Sequence, residues 1–144
     1  MSTHIAKYVL ESEYRCPCCG GLPPAIENGD HLVDSPYREL FQAFEAIRKE
    51  WGEPIDITSG YRCVVHNKAE GGSPLSTHQW GLALDMVGEN KDEVKELFKT
   101  IKRSTEDLRI GVYTKNANFV HIDTGYWISP RPVEEFRKGY EWND

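Results

Sequence analysis

Three side chains in this 144-residue sequence have the types and spacing to hold a metal ion. His78 and Asp85 lie in Ser76-Thr77-His78-Gln79-Trp80-Gly81-Leu82-Ala83-Leu84-Asp85, and His121 lies in Phe119-Val120-His121-Ile122-Asp123. Two imidazoles and one carboxylate make a three-ligand zinc set. Three protein ligands leave a fourth position for water, which separates a catalytic zinc from a structural one. The expectation is one Zn2+ held by His78, Asp85 and His121.

The chain must bend sharply to bring these groups together. On a helix, seven residues would separate His78 from Asp85 by about 10.5 Å of rise, whereas zinc ligands sit about 2.0–2.2 Å from the ion. Gly81 is where the backbone can fold back, with His78 on the loop before it and Asp85 on the strand after it. The run Leu82 to Val87 is apolar apart from Asp85, and a carboxylate buried there needs a partner. A metal is one such partner; an arginine or a ring of backbone amides is another. Alternation along a strand puts Phe119, His121 and Asp123 on one face, with Val120 and Ile122 on the other.

Other elements follow from periodicity and punctuation. Tyr37, Leu40, Phe41, Phe44, Ile47 and Trp51 recur at helical spacing, with Ser35 as cap, Pro36 in the first turn and Gly52 with Pro54 as the stop. Ile55 to Thr58 reads as a short strand, and Arg62 to Glu70 as a short helix closed by Gly71-Gly72. Ser73 to Gly81 reads as loop. Asn90 with Glu93 resembles a capping box for a helix with Val94, Leu97, Phe98 and Ile101 on one face. Leu108 to Tyr113 and Phe119 to Asp123 form a hairpin around a polar turn. Val133, Phe136 and Tyr140 suggest a short last helix, and residues 1–35 read as irregular. Helices and strands mix without regular alternation, so the fold class is α+β: a small, mainly antiparallel sheet flanked by helices.

Size and composition suit one domain over residues 1–144. The net charge of -6, with both signs interspersed, argues against nonspecific binding to nucleic acid. No run of eighteen apolar residues exists to span a membrane. The first ten residues are too short and polar for a secretory leader, which leaves localisation open. Monomer is the default expectation.

Cys16, Cys18, Cys19 and Cys63 admit three readings: reduced thiols packed together, a disulfide to Cys63, or a second zinc. The spacing C-x-C-C is not a standard zinc-finger pair. Trp80, Tyr61, Tyr113, Tyr126 and Trp127 could wall a groove. Core packing is the reading for all of these but Trp80, which is placed in substrate binding.

The segments Ser59-Gly60-Tyr61-Arg62, Asn67, Gly71-Gly72, Ser76-x-His78-x-x-Gly81-x-Ala83-x-Asp85 and Phe119-Val120-His121-x-Asp123 resemble the zinc D-alanyl-D-alanine carboxypeptidase family, which shares its fold with the hedgehog signalling domain. The resemblance runs from about Ile55 to Gly125. It implies a zinc peptidase, either carboxypeptidase or endopeptidase, acting on peptidoglycan stem peptides or crosslinks. Such a protein works at the cell wall, as a phage lysis enzyme or an exported bacterial protein. His78, Asp85 and His121 match the family's ligands. Arg62 matches an arginine that holds substrate and polarises the reacting carbonyl, and Ser76 is placed with Arg62 in substrate binding, or as a supporting donor beside the first ligand. Many relatives carry an acid three residues before the last histidine, where this chain has Asn118. Asp123 is therefore the candidate general base, with orientation of a ligand histidine as its rival role. A protein that keeps zinc but only binds cell wall or protein, and an assembly protein with a vestigial metal set, are the competing readings.

Overall fold

The computed structural model describes residues 3–144; Met1 and Ser2, part of the leader reading, lie outside it. Its centre is a five-stranded sheet in the order β3-β4-β6-β5-β7, made of β3 (Ile57–Ser59), β4 (Ala83–Val87), β5 (Arg109–Tyr113), β6 (Phe119–Asp123) and β7 (Glu141–Asn143). All neighbours run antiparallel except β5 and β7, which are parallel. The expected α+β class and mainly antiparallel sheet are therefore found.

The two faces of this sheet have separate tasks. Leu84, Met86, Ile110, Val120 and Ile122 point to one side and are buried. They pack with α3 (Pro36–Trp51) and α5 (Lys91–Ser104) in one apolar core. Helix α3 forms as its sequence predicts: Ser35 Oγ accepts from the Arg38 amide, Pro36 opens the first turn, and Gly52 closes the helix in the left-handed conformation. Its Leu40, Phe41, Phe44 and Ile47 are buried, each contributing about 1.5–3 kcal/mol. Helix α5 is capped by Asn90 Oδ1 accepting from the Glu93 amide and buries Val94, Leu97 and Ile101. The opposite face carries Asp85, His121, Asp123 and Arg109. Asp85 pairs with His121 across β4 and β6, and Arg109 with Asp123 across β5 and β6.

Two expectations need correction. The segment expected to be irregular is so only in part: it contains β1 (His4–Ala6), β2 (Val9–Leu10), α1 (Glu11–Tyr14), α2 (Pro24–Glu27) and a 3-10 turn at Asp30–Leu32, joined by turns. These elements are too short to show a hydrophobic period. Tyr14, fully buried, holds them to the rest: its hydroxyl donates to Gly81 O at 2.5 Å, and its carbonyl accepts from the Tyr61 amide at 2.8 Å. The contact is so close that a Cβ on Gly81 would lie 2.4 Å from Tyr14 Oη, and Gly81 also needs its φ of +74°. The last helix does not form either. Phe136 packs under Arg109 at 4.2 Å, and Tyr140 leads into β7 with its carbonyl accepting from Ile110 N. Tertiary partners override a helical spacing already weakened by Pro130, Pro132 and Gly139.

Smaller differences follow from local turns. The helix expected over Arg62 to Glu70 is α4 (Val64–Ala69), with Cys63 as its N-cap. The loop from Ser73 to Gly81 contains a 3-10 turn, Thr77–Trp80, started by Ser76.

Candidate metal centre

The turn at Thr77–Trp80 and strands β4 and β6 bring three donor atoms together. Asp85 Oδ1 lies 3.1 Å from His78 Nε2 and 3.0 Å from His121 Nδ1. All three ligand atoms lie within 4.8 Å of one another, and all three residues are buried. A tetrahedral zinc with bonds near 2.05 Å separates its nitrogen and oxygen ligands by about 3.3–3.4 Å. The donor set and its spacing therefore fit a metal ion of this size.

The second nitrogen of each ring is held so that the first faces the centre. His78 Nδ1 donates to Gly60 O at 2.6 Å, which leaves Nε2 with its lone pair. A Cβ on Gly60 would press to 2.8 Å from the Tyr14 backbone, so this carbonyl is positioned by an approach only glycine permits. His121 Nε2 donates to Asp123 Oδ2 at 2.7 Å, leaving Nδ1 toward Asp85. Carboxylate backing of this kind fixes the tautomer and raises the basicity of a ligand histidine.

Asp123 is fully buried and both its oxygens are engaged. Oδ2 also accepts from Thr77 Oγ1 at 3.0 Å; Oδ1 accepts from the Gly125 amide at 2.8 Å and lies 3.3 Å from Arg109 Nε. It stands behind His121, on the nitrogen away from Asp85. Of its two expected roles, this placement favours orientation.

Arg62 reaches the centre from the loop after β3. Its Nη2 donates to Asp85 Oδ2 at 3.3 Å, Nε to Ser59 Oγ at 2.9 Å and Nη1 to Asn67 Oδ1 at 3.4 Å. Its own amide donates to His78 O at 3.1 Å. A guanidinium has five N–H groups, so two remain for another acceptor. Ser76 Oγ accepts from the His78 amide at 3.3 Å and so positions the turn that carries the first donor.

Charge and burial act together on these groups. Burial raises Asp85, but the two imidazoles outweigh it and hold the carboxyl far below its usual range. Burial lowers His78, and the nearby Asp85 does not fully offset this, so the ring stays neutral. Burial would lower His121 too, yet its hydrogen bonds to Asp123 and Asp85 raise it to about 9. Without metal, a proton on His121 therefore links the two carboxylates.

The centre opens on a cleft of about 610 Å³ whose lining includes Arg62, Ser76, Tyr113, Glu135 and Trp142. Trp142 stands 5.3 Å from the His121 ring and donates from Nε1 to Tyr113 Oη. Trp80, expected to bind substrate, is not part of this lining. It lies against Phe136 at 6.5 Å, and its carbonyl accepts from Tyr37. Tyr126 and Trp127 hydrogen-bond to Glu39 away from the cleft. Asn118 does not border the cleft either, and its carbonyl accepts from Gly88 N.

Sequence reasoning passed over Thr77, Arg109 and Trp142. Arg109 could have been found: pairing Tyr113 with Phe119 across the hairpin places Arg109 opposite Asp123. Trp142 carried no local signal, because only β7 pairing brings it over Gly111.

No curated protein matches this chain. The model of one family, described as Peptidase M15, matches residues 20–123, a stretch that contains Arg62 and all three donors. On that match the chain belongs to the Peptidase M15 family, whose members are metal-dependent hydrolases.

Proposed function

We propose that this protein is a zinc peptidase that hydrolyses an amide bond in peptidoglycan stem peptides or crosslinks. The observation that carries the reading is the meeting of His78, Asp85 and His121 donors on the wall of an open cleft. When bound, zinc supplies Lewis acidity and activates water at neutral pH. His78, Asp85 and His121 would hold it.

The remaining steps belong to the chain's own side chains. Arg62 has two N–H groups left after binding Ser59, Asn67 and Asp85, and it offers them to the substrate carbonyl as negative charge develops there. Asp123 orients His121, supported by Thr77, Gly125 and Arg109. A carboxylate must still carry a proton from water to the leaving amine. With Asp123 committed behind the ring, the other carboxylates on the cleft lining are Glu70 and Glu135. Glu70 is drawn toward His66, 4.0 Å away. Glu135 takes the proton-carrying role, and a Glu135→Gln variant loses far more kcat than Glu70→Gln. Equal, small losses in both variants would remove it from that role.

Digestion of purified peptidoglycan, with the products weighed by mass spectrometry, tests the whole reading and identifies the bond cut. The expected result is zinc-dependent release that stops in His78→Ala. If metal is bound and no product appears, a binding protein replaces the peptidase. The asparagine at position 118 is the feature that favours that second reading.

A further inference from the structure

Cys16, Cys18, Cys19 and Cys63 lie away from the catalytic cleft, and three of them precede the stretch matched to the family. Their four sulfurs nevertheless fall within 4.8 Å of one another. Cys18 Sγ and Cys63 Sγ are 3.4 Å apart, although 45 residues separate them in sequence. A tetrahedral zinc with Zn–S bonds of 2.3 Å spaces its sulfurs by about 3.8 Å, so the observed cluster has the dimensions of such a site.

The surrounding backbone supports the same arrangement. The amide of Cys63 points to Cys16 Sγ, that of Gly21 to Cys19 Sγ and that of His66 to Cys63 Sγ, each at 3.4 Å. Amide donors stabilise negative charge on sulfur. The turn holding the first three cysteines is closed on itself: Gly20 N donates to Cys16 O at 2.8 Å and Cys16 N to Gly21 O at 3.0 Å. Within C-x-C-C, Cys16 and Cys19 have the C-x-x-C spacing common among zinc ligands. The fourth donor comes from a second loop, as a cross-link between separate parts of the chain requires. Four thiolates in tetrahedral reach, with no imidazole or carboxylate among them, select zinc over harder cations.

We infer that Cys16, Cys18, Cys19 and Cys63 form a second, closed zinc site that fastens the N-terminal segment to the loop bearing Arg62. Cys63 directly follows Arg62. Three residues before Cys63, Gly60 O accepts from His78 Nδ1. The same loop meets the N-terminal segment through the Tyr61 amide and Tyr14 O. The ion does no chemistry here, since four protein ligands leave no position for water. It holds in place the backbone that sets one ligand ring and the guanidinium.

Metal analysis and cobalt substitution test the site without reference to peptidase activity. Protein from zinc-supplied cells should carry two zinc ions per chain, and a His78→Ala, His121→Ala double variant should keep one. With cobalt in that double variant, intense thiolate-to-metal charge-transfer absorption should appear, and it should weaken in Cys18→Ser, which leaves three of the four sulfurs. Cys18 is exposed, so its substitution leaves the fold in place, whereas Cys63 also caps α4. In Cys18→Ser, hydrogen exchange at the amides of Tyr61 and Arg62 should speed up. A double variant without metal overturns the inference, as does a native disulfide detected by mass or iron in place of zinc. A double variant that keeps its zinc while wild type fails to cut peptidoglycan would overturn only the peptidase reading.

Discussion

His78, Asp85 and His121 present two nitrogens and an oxygen at the wall of a cleft, whereas Cys16, Cys18, Cys19 and Cys63 present four sulfurs to one another. The first set is buried and built on two paired strands and a 3-10 turn; the second lies on turns, with Cys18 and Cys19 exposed. Their supports differ as well. Gly60 O and the Asp123 carboxylate accept from the ligand imidazoles and raise their basicity. Around the sulfurs, backbone amides donate. The sheet and the turn beside it fix three donors on the wall of a cleft. The turns close around a donor set that is complete. The difference between chemistry and scaffolding thus lies in how many donors the chain supplies and what stands behind them.

The strongest way to break this comparison is to remove a donor from the open set. His78→Ala or Asp85→Ala should reduce hydrolysis to background and lower metal content by one ion per chain, as read by product assay and elemental analysis. Loss of both ions in either variant would show that the two clusters are not independent. Asp123→Asn should weaken metal binding or activity by about 10–100-fold, read by competition with a chelator. Full activity in this variant would mean that orientation of His121 contributes nothing.

Acidity sharpens the comparison next. In the metal-free protein His121 has its proton affinity raised to about 9, against an ordinary value near about 6.5. The stabilisation from its protonated form is complete below about 6.5 and is lost as pH rises through about 9. Metal must displace that proton from Nδ1. Affinity at this centre should therefore rise about tenfold per pH unit up to about 9. The gain in melting temperature on adding metal should grow over the same interval. Calorimetric titration in buffers of different ionisation enthalpy should show close to one proton released per ion in the neutral range.

The smallest effect expected is from Tyr14→Phe. It removes the hydroxyl that donates to Gly81 O and should cost about 1 kcal/mol, or about 3 °C in melting temperature. A change in kcat with no change in stability would point instead to coupling between the N-terminal segment and the cleft.

Much of the metal centre was legible because its parts are local or periodic. Gly81 marks the fold-back between His78 and Asp85, and alternation in β6 places His121 and Asp123 on one face. Helices α3 and α5 were readable for the same reason, since cap, apolar stripe and stop all agree. The N-terminal segment was not, because single contacts such as Tyr14 with Gly60 and Gly81 hold it in place, and single contacts leave no period. Phe136 and Tyr140 misled, because spacing that suits a helix also occurs where each residue answers to a different partner. Trp80 was placed by its proximity in sequence to His78; the turn sets it against Phe136, itself on the cleft lining.

The pairing of Arg109, Asp123 and Ala83 across three adjacent strands bears on how the protein matures. Side chains alternate along a strand, so a hairpin one residue out of step would swap the faces of every residue on β6. Val120 and Ile122 would then meet water while His121 and Asp123 entered the oily interior. Sorting of greasy from polar side chains thus proofreads the pairing of Asp85 with His121, two of the three donors, while the turn at Thr77–Trp80 has still to bring His78 to them.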